Sequence, residues 1–168
     1  MTYAYDDPGV ANGIGRLHEV INANAATTYN AYDARGRVLE VGRSIRGAPK
    51  SIYNTVYRYD LAGRLVSMLY PDNYQVAYGY HPETGLLKSV VGVTDFTEYA
   101  EFESYDAAGR PQYVYHGNGT ATTHRFDAAS GRLTSIATAD PNLAQLQKKS
   151  YRYSSAGDIV GITDASAK

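Results

Sequence analysis

Aromatic and apolar residues recur along the chain in short alternating runs that turn residues separate. In several runs two aromatic residues lie two positions apart, as at Tyr57 and Tyr59, so that both rings lie on one face of a strand. The same spacing is found at Tyr3 and Tyr5, at Tyr78 and Tyr80, and at Tyr151 and Tyr153. The alternation predicts fourteen strands, near residues 2–6, 16–21, 28–33, 37–42, 52–60, 64–69, 74–80, 86–92, 96–106, 110–115, 121–127, 132–137, 148–154 and 158–163.

A heptapeptide of the form Tyr-Asp-x-x-Gly-Arg plus one further residue recurs almost unchanged at residues 32–38, 59–65 and 105–111, and four looser copies bring the number of repeat units to seven. Successive anchor aromatics are 27, 27, 21, 25, 21 and 27 residues apart, as variable loops between fixed hairpins would make them. The anchors are Tyr5, Tyr32, Tyr59, Tyr80, Tyr105, Phe126 and Tyr153. The other repeated positions are Asp6, Asp33, Asp60, Asp106 and Asp127, then Gly15, Gly36, Gly63, Gly85, Gly109, Gly131 and Gly157, and then Arg16, Arg37, Arg64, Arg110 and Arg132.

Each repeat unit is predicted to be a β-hairpin. The Asp suits the first position of a type I turn, where its carboxylate accepts a hydrogen bond from the backbone N–H two residues on, and the Gly suits the left-handed position of a G1 bulge. With a three-residue loop, Asp33 lies opposite Arg37 as a cross-strand ion pair, and Tyr32 lies opposite Val38 on the other face. The loop is one residue longer at 81–85 and 127–131, and much longer in the first unit, at 7–15.

The second strand of each hairpin departs from strict alternation. One apolar residue follows the Arg position and another comes three residues later, as at Leu65 and Met68. Since side chains alternate between the faces of a strand, this spacing needs either a β-bulge that re-aims the second residue or a ribbon with both faces partly covered. We favour two partly covered faces.

Seven copies of this motif resemble the Tyr-Asp (YD) repeats, also called rearrangement hot spot (RHS) repeats, of bacterial polymorphic toxins, of cocoon-forming subunits of insecticidal toxin complexes and of teneurins. The opening residues 5–17 resemble an extended-loop variant of the repeat. The resemblance covers almost the whole chain and implies an all-β fold, in which tandem β-hairpins form a continuous curved or spiralling antiparallel sheet. In full-length members the sheet closes into a hollow shell around a toxic C-terminal segment or other internal chain.

The sequence has no linker rich in Pro, Gly or Ser, so residues 1–168 are predicted to form a single array of about seven hairpin repeats. Because a family shell needs many more units, the array is expected to be an excerpt of a larger protein. Residues 142–149 have a weak helical pattern, but eight residues are more typical of a loop with one turn. The family motif that joins shell to toxin, and in some members releases the toxin by aspartyl self-cleavage, is not found, so no catalytic residue is transferred.

The composition agrees with a β-rich, turn-rich protein, with 17 Tyr against 3 Phe, 16 Gly and 20% charged residues. A formal net charge of -1 supplies no electrostatic footprint for nucleic acid or an anionic membrane. No apolar run approaches the ~20 residues of a membrane span. The absence of cysteine excludes disulfides and thiolate chemistry. The first eight residues encode no signal peptide, so an export signal would lie outside this chain.

The repeated Asp residues admit a chemical interpretation as paired carboxylates or calcium ligands. One Asp per turn with an Arg opposite is better explained by turn capping and an ion pair. Calcium needs six or more oxygens in one loop, and only Asp6, Asp7 and Asn12 come close. The four histidines, His18, His81, His116 and His124, have no metal-ligand spacing. We therefore expect no catalytic residue, no metal site and no cofactor.

The tyrosines support more than one function. Exposed rows of rings could stack on sugar rings, whereas thin hairpins without a large aliphatic core would use the rings as core, with their hydroxyls reaching water or backbone. We favour the structural interpretation, because ten tyrosines fall at the two aromatic positions of the first strand. An adhesion surface, as in teneurin-like proteins, is a third interpretation.

The expected function is therefore that of a structural scaffold, a segment of a secreted or surface-displayed bacterial shell without enzymatic activity. Its expected partners are the remainder of its own repeat shell and an enclosed polypeptide, and not nucleic acid. Uncovered sheet edges should also make the isolated chain self-associate. The alternative is a carbohydrate-binding or cell-adhesion module that uses exposed tyrosines.

Overall fold

All fourteen expected strands are present. The structure is a computed structural model that describes residues 1–166, and no helix occurs within those residues. Every strand boundary lies within three residues of the expected one. The strands are β1 Thr2–Tyr5, β2 Leu17–Ile21, β3 Ala25–Tyr32, β4 Val38–Ile45, β5 Tyr53–Tyr59, β6 Leu65–Leu69, β7 Gln75–Tyr80, β8 Leu87–Gly92, β9 Glu98–Tyr105, β10 Pro111–His116, β11 Ala121–Phe126, β12 Leu133–Ala139, β13 Gln145–Tyr153 and β14 Ile159–Asp164.

The stretch with a weak helical pattern is a turn followed by a strand. The N–H of Asp140 donates to the carbonyl of Ala144 at 2.9 Å, and β13 begins at the next residue. The expected turn is thus present, but the expected loop beyond it is wrong. Residues 145–149 are extended because they pair with β12, where Ile136 lies opposite Lys149, and cross-strand pairing outweighs a helical pattern of so few residues.

The strands lie in the sheet in the order in which they follow in the chain. The chain divides within β7 into an N-terminal body, Met1–Ala77, and a C-terminal body that begins at Tyr78. Within each body successive strands pair antiparallel, from β1–β2 to β6–β7 and from β8–β9 to β13–β14. The predicted all-β fold of tandem hairpins in an antiparallel sheet is confirmed. The grouping of all residues into a single array stays a prediction.

The most buried side chains of the N-terminal body lie on one face of its sheet. Tyr32, Val41 and Val76 are only 6–7% exposed, and the strand register places them on the same side. Ser67, on the other side, is 8% exposed. A single sheet has no second layer to cover it, so most strand residues are half-buried, and no large side chain of residues 1–166 is completely buried.

In the C-terminal body the most buried side chain is Val114, which is 5% exposed. It lies opposite Phe102 on β9 and Thr122 on β11. The core is thus again a thin layer of side chains on one face, with aromatic rings supplying much of its volume.

A β-bulge explains the spacing of three in the second strands. In the β5–β6 hairpin, Tyr59 lies opposite Leu65 and the preceding Arg58 lies opposite Ser67, so Val66 is the extra residue. The bulge brings Leu65 onto the same face as Met68. Our preference for two partly covered faces as the cause is therefore wrong. The same bulge is found in the hairpins β1–β2, β3–β4, β9–β10, β11–β12 and β13–β14.

Two hairpins carry a second bulge, in their first strand. In β3 the pairing skips Asn30, and the rings of Tyr29 and Tyr32 stack with centroids 6.2 Å apart. In β9 the pairing skips Glu103, and Phe102 stacks on Tyr105 at 6.3 Å. The extra residue moves the second aromatic from two to three positions before the anchor without moving it off the face. The spacing of two that marks the other aromatic pairs therefore does not occur in these two hairpins.

Candidate functional site

The repeated Asp and Gly close the hairpins through their backbones. In the second repeat unit the N–H of Asp33 donates to the carbonyl of Arg37 at 2.9 Å, and the N–H of Gly36 donates to the carbonyl of Asp33 at 3.0 Å. Gly36 has a φ of 84°, in the left-handed region that favours glycine. The carboxylate of Asp33 also accepts the N–H of Arg35 at 2.9 Å, as the turn type predicts. The expected turn is confirmed here, and the same backbone bonds recur at Asp60 with Gly63 and Arg64, and at Asp106 with Gly109 and Arg110.

Each of these three turns also holds an ion pair. The Arg37 Nε lies 2.5 Å from an Asp33 carboxylate oxygen. The corresponding Nε distance is 2.7 Å both for Asp60 with Arg64 and for Asp106 with Arg110. Because the Arg backbone N–H binds the other oxygen of the same carboxylate, at 2.8 to 2.9 Å, the Asp fixes both the turn and the direction of the guanidinium.

Hydrogen bonding lowers the pKa of all three carboxyls. For Asp33, burial raises the pKa, but hydrogen bonds from Arg37 and Arg35 outweigh it. For Asp60 the largest effect is the backbone hydrogen bond from Arg64, which lowers the pKa. For Asp106 the side-chain hydrogen bond from Arg110 comes first and also lowers it. These groups are therefore ionised in the folded protein over a wider pH range than a free Asp.

The looser repeat units keep the backbone turn and change its side chains. His81 takes the Asp position, and its N–H donates to the carbonyl of Leu86 at 2.8 Å. In the sixth unit the Asp127 carboxylate accepts the N–H and the hydroxyl of Ser130, both at 2.7 Å. In the seventh unit Ser154 and Asp158 stand where Asp and Arg stand elsewhere. The turn therefore tolerates substitution, whereas the contacts of its Arg with the next unit depend on the side chain.

The Arg of one repeat unit stacks on the anchor ring of the next. The Arg37 guanidinium carbon lies 4.5 Å from the centroid of the Tyr59 ring, and that of Arg110 lies 4.0 Å from the centroid of Phe126. Arg16 lies over Tyr32 at 5.4 Å, and Arg132 over Tyr153 at 5.5 Å. These distances are within the range of cation–π attraction. For Arg37 and Arg110, the Asp of the turn thus aims the Arg at the neighbouring unit.

The repeated Gly lies beneath the same guanidinium. A Cβ added at Gly63 would lie 3.2 Å from a terminal nitrogen of Arg37, and one added at Gly157 would lie 2.7 Å from Arg132. A Cβ at Gly15, in the first unit, would meet nothing within 4 Å. At Gly63 and Gly157 glycine is therefore favoured for two reasons, a positive φ and the close approach of the preceding Arg.

The anchor Tyr completes the contact between units through its hydroxyl. The hydroxyl of Tyr32 donates to the carbonyl of Leu17 at 2.5 Å, and that of Tyr153 donates to the carbonyl of Leu133 at 2.8 Å. Both carbonyls belong to the residue that begins the bulge of the preceding unit, where the strand ladder is interrupted. Burial raises the pKa of Tyr32 above its usual value. The repeated Tyr is therefore both a core ring and a hydrogen-bond donor between units.

Between the fourth and fifth units other side chains make the contact, because the Arg is missing. Leu86 stands at the Arg position, and its side chain would lie 3.6 Å from a Cβ added at Gly109. The His81 ring meets the Tyr105 ring edge-on at 6.1 Å, and its Nε2 lies 2.9 Å from the carbonyl oxygen of Phe102. The Tyr105 hydroxyl still donates to the carbonyl of Leu87, at 2.6 Å. The hydroxyl contact thus persists where the stacked cation is absent.

The other Asp and His residues that were considered as catalytic or metal-binding candidates lie apart from one another. Asp6 accepts the N–H of Gly15 at 2.5 Å, and Asp7 lies 3.2 Å from His18. His116 contacts the Thr122 hydroxyl at 3.0 Å, and His124 has a pKa lowered by burial and then by His116. Across residues 1–166 no group of three or more His, Asp or Glu side chains could hold a metal ion. The same residues contain no helix long and apolar enough to cross a membrane.

One groove in the C-terminal body was not expected from the sequence. It has a volume of about 470 Å³ and lies over small side chains, among them Ala121 and Ala137. Tyr113 and Tyr115 form one wall, with centroids 5.0 Å apart and planes at 75°. Tyr115 is 45% exposed, and its pKa is raised by a hydrogen bond with Tyr113 and by nearby carboxylates. Neither Tyr belongs to the repeat positions, and their alternation within β10 is the signal that could have marked them.

Comparison with known proteins finds a toxin subunit that is similar over two thirds of the chain. No protein-family model matches it. The toxin subunit YenC2 of Yersinia entomophaga is 29% identical over 120 residues, which are 67% of this chain and 12% of YenC2. This similarity agrees with the resemblance of the seven Tyr-Asp units to Tyr-Asp repeat proteins.

Solved structures show that this chain has the fold of a segment of toxin-complex proteins. The Photorhabdus luminescens Tc holotoxin pore matches 94% of the chain with a TM-score of 0.78 and 20% identity, and the TcdB2-TccC3 crystal structure gives the same values. TcdB2-TccC3 without its hypervariable C-terminal region matches 92% with a TM-score of 0.76. The chain spans only about a tenth of the length of these relatives, 12% of YenC2 and 8% of the solved chains.

Proposed function

We propose that this chain is a structural scaffold, a wall segment of a Tyr-Asp repeat shell that encloses a toxin or other cargo polypeptide. The observation that carries the proposal is the contact between repeat units, in which Arg37 stacks on Tyr59 and the Tyr32 hydroxyl binds the Leu17 carbonyl. Such a contact uses groups that recur in most of the units, so units can be added in series without a new kind of interface. A wall of indefinite length can be built in this way.

The similarity to toxin subunits supports the enclosing role. YenC2 is a toxin subunit, and the solved structures of the same fold are toxin complexes of which this chain matches a small part. We infer that the rest of the wall consists of further Tyr-Asp units and that the shell is secreted or displayed at the bacterial surface. We infer that the segment itself takes no part in catalysis, because the repeated Asp33, Asp60 and Asp106 are bound in turns and ion pairs.

Protease protection in the longer gene product tests this proposal. The protein would be produced with the sequence encoded on either side of the chain and digested with a protease of broad specificity. An enclosed polypeptide should survive in the wild type and become sensitive in the double variant Arg37→Ala, Arg110→Ala, because two contacts between units are lost. The control Leu61→Ser changes a side chain that is 93% exposed at a turn tip and should retain protection. Equal digestion of all segments in the wild type would count against enclosure.

The groove with Tyr113 and Tyr115 favours a second candidate function, binding of a glycan at an adhesion surface. Partly exposed aromatic rings beside carboxylates present both stacking faces and hydrogen-bond acceptors, which suits a sugar. Retention on a glycan array that is lost in Tyr115→Ala and kept in Tyr70→Ala, also partly exposed at 39%, would support this candidate. Absence of retention would leave the scaffold role alone.

A further inference from the structure

His124 takes a repeat position that other units fill with a ring that stays neutral in mild acid. It lies two residues before the anchor Phe126. At the same position four other units carry Tyr3, Tyr57, Tyr78 and Tyr151. A phenol is neutral up to about pH 10, whereas a free imidazole gains its proton near about pH 6.5. The sixth unit therefore has an ionisable ring where these units have a neutral one.

The strand register places His124 on the same face as Val114, the most buried residue of the C-terminal body. Thr122 lies opposite Val114, and His124 is two residues further along β11. His124 also lies opposite Ile136 on β12. Its ring is therefore part of the thin layer of side chains that forms the core of this body.

The Nδ1 atom of His124 is buried and has no hydrogen-bond partner among residues 1–166. A neutral imidazole carries a proton on only one of its two nitrogens, and since Nδ1 has no acceptor in reach, it is the unprotonated one. Protonation of the ring would add an N–H at this buried atom. A buried donor without an acceptor destabilises a fold, so the geometry favours the neutral ring.

The two strands packed against β11 bring no carboxylate to this ring over Pro111–His116 and Leu133–Ala139. On β10 the tyrosines lie on the other face, and the ionisable side chain on the face of His124 is His116. β12 has no ionisable side chain between its bounds. On β9, one strand further away, this face carries Tyr105 and, at the end near His116, Glu98.

The other charged groups on this face are already paired or supply positive charge. The Arg110 guanidinium lies 4.0 Å from the centroid of the Phe126 ring and is paired with Asp106. Lys149 lies on β13, two strands from β11, with Asp164 opposite it on β14. A proton on His124 would therefore enter a surface that already holds two cations on either side of β11.

Two hydroxyls connect the second histidine to the same cluster. The Nε2 of His116 lies 3.0 Å from the Thr122 hydroxyl, which lies 3.0 Å from the Thr138 hydroxyl. Burial lowers the pKa of His124, and the charge of His116 lowers it further. The two rings thus share one face of β10 and β11, and the charged form of one disfavours the charged form of the other.

We propose that His124 makes the C-terminal body sensitive to mild acid, because protonation of its imidazole loosens the core face of β10, β11 and β12. The inference concerns the chain itself and does not depend on enclosure of a polypeptide. The folded-state pKa of His124 lies below the unfolded-state value of about 6.5. The stability that the neutral ring contributes is therefore complete above about pH 6.5 and is lost as the pH falls towards the lower folded-state pKa.

Urea unfolding of the full chain at a series of pH values, from about pH 8 to about pH 5, measures the effect. The urea midpoint of the wild type should fall over this range. In His124→Tyr it should stay nearly constant, because tyrosine is the usual residue at this position and does not gain a proton. An equal fall in both proteins, or no fall in the wild type, would overturn the proposal.

His18→Tyr is the matched control, the same substitution at a half-buried histidine of the N-terminal body. His18 lies 3.2 Å from the Asp7 carboxylate, so its ring has the partner that His124 lacks. This variant should keep the fall in the urea midpoint that the wild type shows. Loss of the fall in His18→Tyr would show that the acid sensitivity does not originate at His124.

Nuclear magnetic resonance of the wild type tests the proposal without a change at His124. The ring proton signal of His124 should titrate below the midpoint of a free histidine, and His116→Gln should move that midpoint upwards because the neighbouring charge is removed. Hydrogen-exchange protection should fall in mild acid in β10, β11 and β12 and persist in β3–β6. A His124 midpoint at or above that of free histidine, or equal loss of protection in both bodies, would contradict the proposal.

Discussion

The hydroxyl of Tyr32 donates to the carbonyl of Leu17, 2.5 Å away, at the residue where the β-bulge of the first hairpin begins. The bond joins two repeat units and satisfies a carbonyl at an interruption of the ladder. The bulge and the anchor Tyr therefore depend on each other, and this dependence gives the repeat its most direct tests.

Tyr32→Phe should lower the free energy of unfolding by about 1 to 2 kcal/mol, because it leaves the Leu17 carbonyl without its donor and changes little else. Urea unfolding measures the effect. Tyr5→Phe, at the same repeat position but on a ring that is 59% exposed, is the matched control and should be near neutral. Equal losses in the two variants would show that the hydroxyl acts within its own unit.

Gly63→Ala should destabilise the protein more than Ala62→Gly. Gly63 has a φ of 91°, and an added Cβ would lie 3.2 Å from Arg37, so alanine suffers both backbone strain and a close contact. Gly15→Ala separates the two causes, since Gly15 has a φ of 78° but nothing within 4 Å of the added Cβ. Thermal unfolding should give the order Gly63→Ala, then Gly15→Ala, then Ala62→Gly. Equal destabilisation by Gly63→Ala and Ala62→Gly would contradict the turn assignment.

Arg37→Lys should destabilise the protein although it keeps the charge. The Arg37 guanidinium binds the Asp33 carboxylate through Nε and stacks on the Tyr59 ring at 4.5 Å, and an ammonium cannot do both with the same planar geometry. Arg58→Lys, at an exposed position of β5, is the control and should have little effect. Similar stability of Arg37→Lys and the wild type would reduce the contact to simple charge pairing.

Acid should weaken the fold through the turn carboxyls. Asp33, Asp60 and Asp106 have a folded-state pKa below the usual value, so the stability they contribute is present above the unfolded-state pKa of about 3.9 and is lost as the pH falls through the lower folded-state pKa. The triple Asp→Asn variant should be less stable at neutral pH and should change less between about pH 4 and pH 2. If the free energy of unfolding fell equally with pH in the variant and in the wild type, these carboxyls would not be the cause of the loss of stability in acid.

The sequence predicts the strands and turns well because both signals are local. The Asp and Gly of a turn act within five residues, and the Tyr spacing of two follows from strand geometry. The contact between units was not predictable in the same way. Arg37 and Tyr59 belong to neighbouring hairpins, and no short sequence pattern predicts the register in which two hairpins pair. The bulge at Val66 is visible in the sequence as the spacing of three between apolar residues, but two partly covered faces also explained that spacing.

Two other features escaped prediction for physical reasons. The stack of Tyr29 on Tyr32 depends on an extra residue at Asn30, and a bulge in the first strand shifts the period without changing its residue types. The wall formed by Tyr113 and Tyr115 follows simple alternation, but which face of β10 stays open depends on its neighbours β9 and β11.

Electron cryomicroscopy of the protein with its naturally encoded flanking sequence tests the central claim, that this chain is part of an enclosing wall. The account predicts that the hairpins of this chain continue on both sides into further Tyr-Asp hairpins through the same Arg-on-ring and Tyr-to-carbonyl contacts, and that the shell holds a polypeptide inside. An isolated sheet with no enclosed chain, or neighbouring domains that join it by unrelated contacts, would contradict it.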